Sequence, residues 1–249
     1  MKARPAARAA MLTGIGLVLA FLYLPLVPPV LFGAGGYAGI RQNPILVDAV
    51  RNSLLLAALT ALVTPPLALL GAMAVRELRV PRLVLLVLLL PLFVPGVSMG
   101  LATAVFLKLL GVTPSLRTIL LVHVMWTLPF AFLVVLAAMA TFDPVYLEAA
   151  YVLGAPRLRA FLDVELPLIR PGLLGAASLS AIVSLNETIR TSLVQGPLNT
   201  VQTYIWTTYL QVGLSPSLHA LMSLLIGLTL ALVAVLLVGK GRRGRVVTG

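Results

Sequence analysis

Six apolar stretches, each long enough to cross a lipid bilayer, constrain this chain more than any other feature. They run over about residues 10–32, 53–75, 83–107, 118–140, 172–194 and 218–238. A helix needs roughly 20 such residues to traverse a hydrocarbon core about 30 Å thick. In lipid the backbone polar groups must be satisfied within the segment, so unbroken runs of this length read as helices. The expected fold is therefore all-α and integral to the membrane, a single domain over 1–249 with six transmembrane helices. Composition supports this. Only 10% of residues are charged and 60% are hydrophobic, against about 25% charged in an ordinary soluble domain.

The N-terminal Met1–Arg8 segment followed by an apolar run resembles a secretory leader. That run continues to about Phe32 with no small-residue cleavage site, so it reads as the first span. No cysteine is present, which excludes disulfides and thiolate metal sites. The formal charge of +11 admits a nucleic-acid partner. Basic residues gathered in cytoplasmic loops explain it better, and no nucleic-acid partner is expected.

Orientation follows from where the basic residues fall. Lys2, Arg4, Arg8, Arg76, Arg79, Arg82, Arg157, Arg159, Arg170, Lys240, Arg242, Arg243 and Arg245 lie on one side, thirteen of the 18. Arg41, Arg51, Lys108, Arg117 and Arg190 lie on the other. The first set marks the cytoplasm, so both termini are expected there. Prolines fall inside four of the spans: Pro25, Pro28 and Pro29; Pro65 and Pro66; Pro91 and Pro95; Pro129. Each removes a backbone donor and favours a bend. The outer segment Gly33–Asn52 is expected to lie partly along the surface.

The longest cytoplasmic loop, 141–171, has a helical pattern of its own. Asp143 before Pro144 forms a helix start, and that helix would end near Gly154. Pro156 begins a second short helix, with Arg157 and Arg159 facing water and Leu158, Phe161 and Leu162 apolar. Such an elbow, projecting from a bilayer, needs something to dock against.

Several motifs invite sharper readings. Gly96-Val97-Ser98-Met99-Gly100 fits the Gly-x-Ser-x-Gly pattern of a hydrolase, but that motif belongs between a strand and a helix. As Gly-x-x-x-Gly it allows close helix packing instead. His123 and His219 fall on different spans, which argues against a metal site. His123 fits an interhelical hydrogen bond or a substrate contact. Gly172, Ala176, Ser180 and Ser184 form a small-residue stripe, suited either to packing or to lining a pathway. Near the outer end of that span, Glu187 either pairs with Arg190 three residues on or faces the pathway and attracts a cation. Ser98, Thr103, Trp126, Ser180, Ser184 and Glu187 are the candidate pathway residues. An aromatic wall would hold an alkylammonium group by cation–π contact.

The loop reads Glu148-Ala149-Ala150-Tyr151-Val152-Leu153-Gly154-Ala155, followed by Phe161, Val164, Leu166-Pro167 and Pro171-Gly172. It resembles the "EAA" loop of binding-protein-dependent ABC transporter permeases of the type I importer fold. Pro91-Leu92-Phe93-Val94-Pro95-Gly96, His123 ahead of Leu128-Pro129-Phe130, and Ser184-Leu185-Asn186-Glu187 extend the likeness over about residues 52–225. Gly196-Pro197 and Val212-Gly213-Leu214-Ser215-Pro216 resemble the spermidine/putrescine-type branch most. Related branches carry iron, thiamine, sulfate, phosphonates or sugars.

The resemblance implies that the loop is a coupling helix seated on a cytoplasmic ATPase. Glu148, Ala149, Ala150, Gly154, Ala155, Arg157 and Phe161 would be the coupling residues. Glu148 would brace the elbow by accepting backbone donors or by pairing with Arg157 or Arg159. No phosphate-binding loop occurs in this chain. ATP and Mg would be bound by two partner ATPase subunits, with no cofactor in this chain. A second permease, the same chain or a related one, and an extracytoplasmic binding protein complete the implied assembly in a prokaryotic cell membrane. An ion-coupled transporter would instead show inverted repeats and a broken midplane helix.

Overall fold

A computed structural model describes residues 5–241. Lys2, Arg4, Arg242, Arg243 and Arg245 lie outside the described residues. The elements in chain order are α1 (Pro5–Tyr23), α2 (Val27–Gly33), α3 (Tyr37–Gln42), α4 (Pro44–Glu77), α5 (Pro81–Leu89), α6 (Gly96–Leu109) and α7 (Leu116–Ala140). They continue as α8 (Val145–Val152), α9 (Arg157–Ala160), α10 (Leu166–Leu185), α11 (Ile189–Val194), α12 (Val201–Val212) and α13 (Pro216–Gly241). No strand occurs among the described residues. Among the described residues five helical segments are long and apolar enough to cross a membrane, and a sixth arises if one bent pair counts as a span.

Three long helices, α4, α7 and α10, pack against one another as the trunk. Small side chains allow the close approach: Ala68 and Ala72 of α4, Ala131 of α7 and Ala176 of α10 are all buried around Phe132. A Cβ placed on Gly172 would stand 2.2 Å from Ala138 Cβ. A second cluster joins Leu46, Ala49 and Ala57 of α4 to Leu185 of α10, Val201 of α12 and Leu218 and Leu221 of α13. In contrast, every residue from Ala10 to Pro28 is exposed, so α1 packs against no other long helix among the described residues.

The prolines act differently from one another. Pro65 and Pro66 remain inside an unbroken α4 of 34 residues, and Pro129 remains inside α7. At about 1.5 Å per residue α4 is about 50 Å long, well beyond the hydrocarbon thickness. Pro28 and Pro29 sit in the first turn of α2, where a missing donor costs nothing. Pro91 and Pro95 do break their span: Pro81–Leu92 and Gly96–Leu109 meet at 99°. The expected third helix over 83–107 is thus two short helices at right angles.

Three further segments gain detail, and one of them corrects an expected boundary. The outer segment 33–52 is helical almost throughout, because α3 leads directly into α4, whose start is capped by Asn43 Oδ1 accepting the Ile45 N–H at 3.0 Å. The fifth span does not run on to residue 194. It stops at Leu185, residues 186–188 interrupt it, and α11 follows. A helix also occupies Val201–Val212, where the sequence offered no span. Thr200 and Thr203 cap its start reciprocally.

Candidate functional site

Two places gather the singled-out residues, one at each end of α10. The first is the elbow. Asp143 Oδ1 accepts the Val145 N–H at 3.0 Å and starts α8. Gly154 ends it with φ of +84°, a left-handed conformation that glycine adopts freely. Pro156 then opens α9, and a π turn over Phe161–Glu165 leads into α10. The tip is apolar and bare: Val152 and Leu153 are each 87% exposed, and Leu158 is exposed beside them. Ala149, Arg157 and Arg159 are also exposed, while Ala150, Ala155 and Phe161 are half-buried. Nothing lies within 4 Å of a Cβ placed on Gly154.

The brace expected at Glu148 is elsewhere. Glu148 is exposed, with no side-chain hydrogen bond or ion pair to another described residue. The carboxylate that ties the elbow to the trunk is Glu165, 1% exposed and ion-paired with Arg76 at the end of α4. Arg76 also bonds Glu77 at 3.1 Å. This contact places the turn between α4 and α5 at the same end of the bundle as the elbow. The pair spans 89 positions and no local pattern marks it. The one available signal was an acid directly preceding the Leu166-Pro167 helix start.

The second place is the break between α10 and α11. Glu187 is 5% exposed and Arg190 6%. Glu187 Oε1 accepts the Arg190 backbone N–H at 2.7 Å, and its Oε2 accepts Arg190 Nη1 at 2.9 Å. The carboxylate therefore caps the first turn of α11 and neutralises the guanidinium of the same residue. Arg190 lies 3.7 Å from the Trp126 ring centroid on α7, and its Nε points to Met99 Sδ at 3.4 Å on α6. Phe130 meets Trp126 edge-on at 5.1 Å. The Gly96–Gly100 spacing permits this crossing: a Cβ on Gly100 would stand 3.0 Å from Arg190 Cα, and one on Gly96 3.2 Å from the guanidinium carbon. An open cavity of about 290 Å³ adjoins the pair, lined by Asn186, Glu187, Thr188, Ile189, Arg190 and Trp206. A buried pair of this kind gains little net stability over an apolar core, but removing one partner costs about 3–5 kcal/mol.

The other candidates are placed as follows. Ser180 and Ser184 are buried within the trunk, and the stripe they belong to packs against neighbouring helices. His123 bridges two of those helices, with Nδ1 2.7 Å from Ser184 Oγ and Nε2 2.8 Å from Thr191 Oγ1. One ring nitrogen donates and the other accepts, so neither is free to serve as a base. Thr103 is buried and returns its hydroxyl to the Met99 carbonyl at 2.8 Å. Ser98 is exposed in the first turn of α6, beside an apolar groove with Leu101, Ala102 and Val105. A hydrolase site has neither a strand–turn–helix nor a free base here. Trp126 and Glu187 are brought together around Arg190; the Ser184 carbonyl accepts the Glu187 N–H at 3.3 Å while its hydroxyl turns to His123, and the Ser98 and Ser180 hydroxyls bond neither Trp126 nor Glu187 among the described residues. Arg190 and Met99 complete the cluster, and only the three-residue spacing to Glu187 hinted at Arg190.

Comparison with known proteins agrees with this architecture. No family model matches the chain. The putative ABC transporter permease protein ORF1 of Streptomyces antibioticus is 35% identical over 158 residues, covering 60% of this chain and 68% of that protein. The spermidine/putrescine transport system permease protein PotC of Escherichia coli (strain K12) is 26% identical over 232 residues, 87% of this chain and 88% of PotC. The putrescine transport system permease protein PotI of the same strain is 26% identical over 200 residues, 77% of this chain and 71% of PotI. Among solved structures, a bacterial ABC transporter involved in import of the acidic polysaccharide alginate superposes with a TM-score of 0.69 at 19% identity, covering 98% of this chain and 96% of that one. The chain belongs to the permease subunits of ABC transporters. It is a multi-pass membrane protein of a transport system rather than an enzyme.

Proposed function

We propose that this chain forms part of the translocation pathway of an ATP-driven importer for a small polyamine-like cation. The substrate class is supported chiefly by one observation: a buried carboxylate, Glu187, and the half-buried indole face of Trp126 meet around a single cation where α10 breaks. A carboxylate and an aromatic face are the two groups that hold an alkylammonium ion. The extended likeness to PotC and PotI points the same way.

The elbow is the docking surface for a cytoplasmic ATPase. Its bare Val152, Leu153 and Leu158 fit a groove on such a partner, and its rigid helix–turn–helix form transmits a rigid-body movement. Glu148, Ala149, Ala150, Gly154, Ala155, Arg157 and Phe161 make up this surface, with Glu165 and Arg76 holding it to α4. Two ATPase copies bind ATP and Mg, and this chain binds neither. A second permease covers the exposed face of α1, and a binding protein delivers substrate from outside. Both termini lie in the cytoplasm of a prokaryotic cell, on the distribution of Lys and Arg.

A second reading, import of an anion or neutral solute, draws on Arg190, which already compensates Glu187. One assay separates the two. The whole complex in proteoliposomes, given labelled spermidine, a sugar and a phosphonate in turn, is expected to take up spermidine in an ATP-dependent way. Uptake of the phosphonate or sugar alone would replace the polyamine reading with the second.

A further inference from the structure

The cage of Glu187 and Trp126 suits an ammonium ion, yet this chain's own guanidinium already fills it. We infer that Arg190 is an internal stand-in for the transported cation: it occupies the cage between transport events, and an ammonium group of the substrate displaces it. The inference deepens the polyamine reading and rests on it.

The geometry makes the exchange feasible. Arg190 is held by few groups. Nη1 bonds Glu187, Nε meets only a thioether sulfur, and Nη2 has no protein acceptor among the described residues. A guanidinium carries five N–H donors, so most of its capacity is unused. The residue lies in a six-residue helix just after the interruption at 186–188. The cavity of about 290 Å³ beside it gives the side chain somewhere to go and the substrate a way in. Glycines at 96 and 100 leave only Met99 of α6 against the guanidinium.

Electrostatics explains why an internal cation is needed. An empty cage would leave Glu187 buried and uncompensated, which is strongly unfavourable. Replacing one cation by another keeps the carboxylate neutralised throughout. A solute with no cationic group cannot drive Arg190 out. The residue thus sets specificity by exclusion. It also sets affinity: when a binding-competent state is only fractionally populated, the apparent dissociation constant rises by the inverse of that fraction.

Spermidine uptake by the reconstituted complex, with ATPase activity measured in parallel, tests this. In Arg190→Gln the cage stands open, and KM is expected to fall about ten-fold if it is open a tenth of the time in the parent, while kcat falls because release slows. Arg190→Lys retains a competing cation and is expected to keep KM within about two-fold of the parent. Glu187→Gln is expected to raise KM. An Arg190→Gln complex whose KM rises like that of Glu187→Gln, with ATPase activity intact, would overturn the inference. If Arg190→Gln does not assemble, the unaltered complex decides. Methylguanidine should compete with spermidine for uptake, and an absence of competition at a hundred-fold excess over KM overturns the displacement. Failure of the polyamine reading itself is distinct, because the unaltered complex would then take up no polyamine.

Discussion

The two ends of α10 hold charge in different ways. At the elbow end, Glu165 is buried, but its partner Arg76 is 38% exposed and shared with Glu77. At the break end, Glu187 and Arg190 are both buried, and the pair is enclosed by Trp126, Met99 and two glycines. The first arrangement lets one partner stay hydrated while the elbow presents bare apolar side chains to another protein. The second isolates a neutral pair just past the end of α10 beside an open cavity. One helix therefore joins an exposed apolar elbow to an enclosed ion pair. That is the layout a permease needs if movement at an ATPase is to alter a pathway.

The contrast can be broken most sharply at the enclosed pair. Glu187→Ala leaves Arg190 buried without a counter-charge and is expected to cost about 3–5 kcal/mol of stability. A thermal unfolding measurement on the purified complex should show it as the largest loss among these variants. A small change there would mean that water already reaches the pair.

At the other pair the two partners should be unequal. Arg76→Ala strands a buried carboxylate and is expected to destabilise by about 1–3 kcal/mol or more. Glu165→Ala leaves an arginine that can turn to water, at about 0–1 kcal/mol. Equal losses would contradict the asymmetry of exposure. Trp126→Leu removes the aromatic face and is expected to cost up to about 2 kcal/mol, read as a rise in KM for spermidine with ATPase activity preserved.

A local backbone cost, with no packing cost, is expected at Gly154. Alanine there must adopt a left-handed conformation, at about 1–2 kcal/mol, but it meets no neighbouring atom within the chain. Gly154→Ala should therefore insert and fold normally. The larger Gly154→Asp adds a charge to an exposed turn, so if the elbow docks on an ATPase its defect should appear in coupling alone.

Much of this was legible in the sequence, for identifiable reasons. Spans declare themselves because lipid demands long apolar runs, and the elbow does so because Asp143-Pro144, Gly154 and Pro156 each have a local conformational role. The break at residues 93–95 was half visible in Pro91 and Pro95, which announce a bend but not its angle. The helix at Val201–Val212 was hidden from hydropathy by Gln202, Thr203, Thr207, Thr208 and Gln211, and only its Thr200–Thr203 cap signals it. Glu187 and Arg190 were visible as a spaced pair, yet their meeting depends on a helix ending at Leu185 and a carboxylate capping the next one. Trp126 and Met99 reach the same point from helices distant in sequence, and Arg76 meets Glu165 across 89 positions. Such contacts belong to tertiary packing.

The central claim, that movement at the elbow powers cation passage, is tested most directly by spermidine uptake in proteoliposomes holding the complete complex with Gly154→Asp. The parent complex should show ATP-dependent, vanadate-sensitive uptake. The variant should insert and assemble but lose both uptake and substrate-stimulated ATP hydrolysis. Normal coupled turnover in the variant, or parent uptake driven by an ion gradient without ATP, would contradict the account.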